Sequence, residues 1–98
     1  MKLKMVNEVK SEGKTYRGYE LGLYEVEETI FESGYASIRV SKDWKEEYLP
    51  EIYERNNGFA IQTTSYGSLQ AEELKKVIAG YKYAMEAVEI LNREFGNK

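Results

Sequence analysis

The stretch Leu69–Phe95, LQAEELKKVIAGYKYAMEAVEILNREF, carries the longest regular pattern in the chain. Its apolar residues recur at alternating steps of four and three, the spacing that places side chains on one face of a helix. The members of this row are Leu74, Val77, Tyr81, Ala84, Val88, Leu91 and Phe95. About 26 helical residues make a rod of roughly 40 Å. We therefore predict one long C-terminal helix that packs by this row across the rest of the protein.

The same helix carries a second row of apolar and small residues, away from the first. A helix that covers one sheet face needs one apolar stripe and a polar back. The second row must therefore contact either another layer of this chain or another molecule, and 98 residues leave little chain for another layer. We predict an interface with a second copy or another protein, formed by Ala79, Gly80, Tyr83, Ala87 and Ile90.

Gly80 supports a close approach at this second row. A glycine inside a helix costs about 1 kcal/mol relative to alanine. The presence of glycine indicates that the helix backbone packs closely against a neighbouring segment or molecule. Alternatively, the glycine is a neutral substitution on a long helix.

Composition limits the classes of protein that this chain can be. Hydrophobic residues at 42% and charged residues at 32% indicate one globular domain, residues 1–98. No apolar run approaches the roughly 20 residues of a membrane span, and the N-terminus lacks the apolar stretch of a signal peptide. We expect a cytoplasmic protein without membrane contact.

Cysteine and histidine are both absent from the sequence. The chain thus lacks a thiolate nucleophile, zinc ligands of the Cys/His type and the usual acid–base side chain near neutral pH. We expect no enzyme, with no catalytic, metal or cofactor-binding residues. The net charge of −3 does not favour nucleic acid as a partner, although a local basic patch stays possible.

Alternating apolar and polar residues predict the strands of an antiparallel sheet. The predicted strands cover residues 2–10, 15–26 with a bulge near Gly22, 35–41 and 59–66, while 29–31 either extends the second strand or forms another. The fold class is α+β: three to five antiparallel strands, a short aromatic helical insertion and one long C-terminal helix across one sheet face.

The insertion between the third and fourth predicted strands concentrates aromatic residues. Asp43 begins a short helical pattern that Pro50 interrupts, so we expect two short turns rather than one helix. Trp44, Tyr48 and Tyr53 either complete the core or form a secondary contact for a partner.

Tyrosine accounts for nine of the thirteen aromatic residues, and two tyrosines alternate with basic residues in the second strand. Lys14, Tyr16, Arg17 and Tyr19 follow the pattern of proteins that bind single-stranded nucleic acid by stacking. This gives an alternative to the interaction module, namely a single-stranded nucleic acid binder that uses a tyrosine-bearing sheet face.

Two segments, residues 48–53 (YLPEIY) and 61–69 (IQTTSYGSL), resemble parts of small uncharacterised proteins of phages and prophages of Gram-positive bacteria. The resemblance assigns no functional residue, and it implies a small protein that acts by binding macromolecules. A four-stranded sheet crossed by a C-terminal helix also resembles the architecture of PC4-like single-stranded DNA binders, which dimerise through that helix.

Overall fold

The structure, a computed structural model, describes residues 1–96. Four strands form one antiparallel sheet in chain order, β1 (Leu3–Ser11), β2 (Lys14–Leu21), β3 (Tyr24–Ile30) and β4 (Ala36–Lys42). A separate hairpin follows, β5 (Ile52–Arg55) and β6 (Gly58–Ile61), and the helix α1 spans Ala71–Phe95. The predicted α+β class with a long C-terminal helix is confirmed.

Glycine and asparagine set the tight turns of the sheets. Gly22 has a φ of 59° and, with Leu23, connects β2 to β3. The predicted bulge at Gly22 is therefore wrong, because the chain reverses there instead of continuing as one strand. Asn56 and Asn57, with φ values of 51° and 65°, form the turn between β5 and β6, where short polar side chains tolerate the left-handed region.

β1 lies at the edge of the four-stranded sheet and pairs only with β2. The register shifts between Met5 and Asn7, so Val6 is the additional residue of a bulge. Beyond the bulge Val9 lies opposite Tyr16, on the sheet face that points away from α1.

The aromatic insertion forms two consecutive turns, as predicted. The amide of Glu46 donates to the carbonyl oxygen of Asp43, and the amide of Leu49 donates to that of Glu46, each at 3.0 Å. Leu49 is then buried, and the chain continues directly into β5.

Interactions in the first and last turns of α1 define the ends of this helix. The amide of Gln70 donates to a carboxylate oxygen of Glu73 at 3.2 Å, as in a capping box. Glu72 and Glu73 place negative charge in the first turn, where the helix dipole favours it. At the other end the amide of Gly96 donates to the carbonyl oxygen of Asn92. Within residues 1–96, no helix is both long and apolar enough to cross a membrane.

The core lies between α1, one face of the four-stranded sheet and the segment that leads into β5. Its buried members are Leu21, Tyr24, Val26, Ile38, Leu49, Ile52, Ala84, Ala87, Ile90 and Leu91. The hydroxyl of Tyr24 donates to the carbonyl oxygen of Pro50 at 2.6 Å, so this buried ring joins the sheet to the insertion. Burial raises the pKa of Tyr24 well above its ordinary value, with a smaller contribution from Tyr83.

Candidate interaction surface on the helix

A row of apolar side chains runs along α1 at the edge of the core, and one of them, Val88, packs against the core. Leu74, Ile78 and Met85 are 47%, 47% and 52% exposed. Tyr81 and Val88 lie beside them and are half-buried. We call these five residues the helix stripe. Half-exposed large aliphatic side chains in one row can bind an apolar surface of another molecule.

The prediction that Leu74 packs in the core is wrong, whereas the predictions for Val77 and Leu91 are confirmed, at 7% and 0% exposure. The helix is rotated relative to the predicted orientation. Small side chains at Ala84 and Ala87 face the sheet and are completely buried. Because interiors are close-packed, small residues on the helix leave room for bulky residues of the sheet.

Most of the predicted partner interface belongs to the protein's own core. Ala87 is completely buried and Ile90 is 7% exposed. Gly80 and Tyr83 are half-buried, and only Ala79 is exposed. An interface built on these five residues is therefore wrong, since the sheet and the insertion of the same chain already cover four of them.

Gly80 does mark a close approach, but to a segment of its own chain. A Cβ atom at this position would collide with the carbonyl oxygen of Tyr48 and lie 3.6 Å from the Cα atom of Leu49. The missing side chain thus lets the two turns of the insertion pack on the helix backbone.

Tyr83 connects the helix to the turn between β2 and β3. Its hydroxyl accepts a hydrogen bond from the amide of Leu23 at 2.7 Å. Its ring lies 6.1 Å from that of Tyr24, between centroids. These contacts fix the rotation of α1 about its axis and so keep the helix stripe outward.

The three aromatic residues of the predicted secondary contact lie on different elements. Trp44 is 81% exposed, and its ring is 5.8 Å from the ammonium group of Lys45. Tyr48 is half-buried, with the ammonium group of Lys76 at 5.7 Å. Tyr53 is 42% exposed on β5. The prediction that they finish the core does not hold for Trp44, which is the most exposed large hydrophobic side chain of the described residues.

The uncovered face of the four-stranded sheet carries carboxylates and basic side chains rather than a row of tyrosines. Glu20 lies opposite Glu25 in the register, and Glu27 lies opposite Arg39. These side chains line a shallow depression of about 360 Å³. Carboxylates in this position repel a phosphate backbone.

The tyrosines that motivated the nucleic acid hypothesis lie on two different faces. Side chains alternate along a strand, so Tyr16 points away from the helix while Tyr19 and Tyr24 point toward it. The ring of Tyr19 packs edge-on against that of Phe95 at 5.3 Å between centroids. The structure therefore does not assemble the stacking platform that the hypothesis requires.

Arg17 and Tyr19 instead join a charged network on the helix side of the sheet. Arg17 Nε donates to a carboxylate oxygen of Glu8 at 2.6 Å, and the hydroxyl of Tyr19 donates to Glu28 at 2.7 Å. A guanidinium nitrogen of Arg17 also lies 3.8 Å from Glu28. Burial and the hydrogen bond to Glu28 raise the pKa of Tyr19 to about 12. The network pairs Arg17 with the carboxylates of Glu8 and Glu28 beside the core.

In comparisons with known proteins, no family model matches this chain, and no curated protein or solved structure matches it significantly.

Proposed function

We propose that this chain is a cytosolic, non-enzymatic interaction module that associates with a second copy through the helix stripe. The observation that carries the proposal is the row of three large aliphatic side chains, Leu74, Ile78 and Met85, each about half exposed on a rigid helix. The non-enzymatic part rests on a sequence without cysteine or histidine, and lack of cysteine also suits a reducing compartment.

The energetics point to a weak association. Full burial of a large aliphatic side chain is worth about 1.5–3 kcal/mol, so burying the exposed halves gains about 1 kcal/mol each. A two-fold interface uses each residue twice. The resulting gain is comparable with the entropic cost of bringing two molecules together. We therefore expect an equilibrium between monomer and dimer that shifts with concentration.

Charge substitutions on α1 test the surface. Ile78→Glu places a carboxylate in the helix stripe, where dimerisation would desolvate it. We expect a lower mass by sedimentation at high protein concentration, with an unchanged circular dichroism spectrum. Ala79→Glu is the matched control, because it adds the same charge at an exposed neighbouring position outside the stripe. It should leave both mass and spectrum unchanged.

Two outcomes would count against the proposal. A wild-type protein that stays monomeric over a hundredfold range of concentration would exclude self-association. An equal loss of mass in Ile78→Glu and Ala79→Glu would place the interface elsewhere on the helix. Ala87→Glu serves as a folding control, because its charge enters a completely buried position and should unfold the protein.

A further inference from the structure

We propose that the two copies pair with their helices antiparallel and that Lys82 lies beside the two-fold axis. The proposal rests on the proposed function and adds the partner's orientation to it. It follows from the arrangement of apolar and charged side chains along the exposed side of α1.

The helix stripe is nearly symmetric about its middle residue. Leu74 and Val88 form its two ends, each seven positions from Tyr81, and Ile78 and Met85 lie between. If the helix is rotated by 180° about an axis perpendicular to its length, this row of side chains superposes on itself. In an antiparallel pair centred near Tyr81, Ile78 of one copy faces Met85 of the other, and Leu74 faces Val88.

Charged residues line one flank of the stripe with a regular spacing. Lys75, Lys82 and Glu89 follow one another at intervals of seven residues, and all three are exposed. A spacing of seven keeps side chains on nearly the same side of a helix. Between Lys75 and Glu89 this flank is therefore basic toward the N-terminus and acidic toward the C-terminus, and Arg93 follows beyond Glu89.

Symmetry decides which flanks meet. In an antiparallel pair the two-fold axis is perpendicular to the helices, so each flank faces the same flank of the other copy. Lys75 then meets Glu89 of the second copy, and the contact occurs twice. In a parallel pair the charged flank would face the opposite flank, where Val77 and Ala84 are buried and offer no charge. Charge complementarity thus favours the antiparallel orientation.

Two local contacts affect this arrangement. Lys75 already lies 3.3 Å from Glu72, but both side chains are more than 70% exposed, so this pair exchanges readily with water and other partners. Lys82 of one copy would lie close to Lys82 of the other copy, beside the two-fold axis. Two long, exposed ammonium groups can extend into solvent there, and the repulsion between them is small.

Single cysteines can measure the orientation directly, because the chain contains no cysteine of its own. Lys82→Cys should be joined to itself by a short bifunctional maleimide. Lys75→Cys should not, because in the antiparallel pair the two copies of residue 75 are about 20 Å apart along the helix. A mixture of Lys75→Cys and Glu89→Cys should crosslink, and Ala79→Cys, on another side of the helix, should not.

The crosslinking pattern separates failure of this inference from failure of the proposed function. If the protein dimerises and Leu74→Cys, within the stripe, crosslinks to itself while Lys82→Cys does not, the helices are parallel and the inference is overturned, while self-association stands. If the protein dimerises and neither Leu74→Cys nor any of the other positions crosslinks, the interface lies away from the stripe and both are overturned. If the wild-type protein is monomeric, both the proposed function and the antiparallel pairing are overturned.

Charge exchange gives an independent measurement. Lys75→Glu should raise the dimer dissociation constant several-fold, because Glu89 of the other copy then faces a like charge. Adding Glu89→Lys in the same chain should return the constant toward the wild-type value. Equal weakening by the single and double variants would contradict the antiparallel contact. The thermal midpoint of each variant at low concentration shows that the monomer fold is unaffected.

Discussion

Replacing Gly80 by alanine tests the packing of the helix against the insertion, because two effects of opposite sign compete there. Helix propensity alone predicts a gain of about 1 kcal/mol. The structure predicts a loss, since the added Cβ atom would collide with the carbonyl oxygen of Tyr48. Overpacking typically costs about 1–3 kcal/mol. The obstacle is backbone that cannot rotate away, so the upper end applies and a net loss of about 2 kcal/mol remains.

Equilibrium unfolding in urea measures this difference. Gly80→Ala should unfold at a lower urea concentration than wild type, with the same dependence on denaturant. Ala79→Gly is the matched control, because Ala79 is exposed and this change should cost about 1 kcal/mol through propensity alone. A midpoint for Gly80→Ala above that of wild type would show that the insertion does not contact the helix at this position, and the assigned rotation of α1 would fail with it.

Three further changes test the core and its hydroxyl groups. Leu91→Ala should lower the free energy of unfolding by about 2–5 kcal/mol, because Leu91 is completely buried. Leu74→Ala should lower it by well under half as much, because Leu74 is half exposed. Equal losses in urea unfolding would contradict the orientation of the helix. Tyr24→Phe should cost about 1–3 kcal/mol, because it leaves the buried carbonyl oxygen of Pro50 without its donor, and an unchanged midpoint would argue against that hydrogen bond. Tyr19 has a folded-state pKa of about 12, above the ordinary value of 10.0. Its contribution to stability is therefore complete below pH 10 and is lost as the pH rises from 10 to 12. Tyr19→Phe should weaken the pH dependence of the thermal midpoint in this interval.

Regular patterns of the sequence predicted the elements of the fold. The four-three spacing of α1 and the alternation in β4 each reflect one buried face, and a buried face is a property of local sequence. The alternation in β1 also predicted a strand, although this edge strand is almost entirely exposed. The two turns of the insertion followed from Pro50, which cannot continue a helix. Gly22 was harder to interpret, because a glycine between alternating residues fits both a bulge and a two-residue turn.

The rotation of the helix could not be predicted from its periodicity. Two rows of α1 are comparably apolar, and the choice between them depends on volume at the contact with the sheet. The bulky side chains of Leu21 and Tyr24 occupy much of that space, so the small residues Ala84 and Ala87 pack among them. The useful signal was the concentration of glycine and alanine in one row, which indicates the close-packed side of a helix rather than a free surface.

The bulge in β1 has a consequence for how large an assembly can grow. An edge strand of nine residues offers unpaired backbone groups that can template fibrous aggregation. The additional residue Val6 interrupts the regular spacing of those groups, and Lys4 and Lys10 add like charges along the same strand. Both features disfavour the addition of further strands at this edge of the sheet. In the proposed two-fold pair each copy uses its helix stripe once, so that assembly would close at two copies.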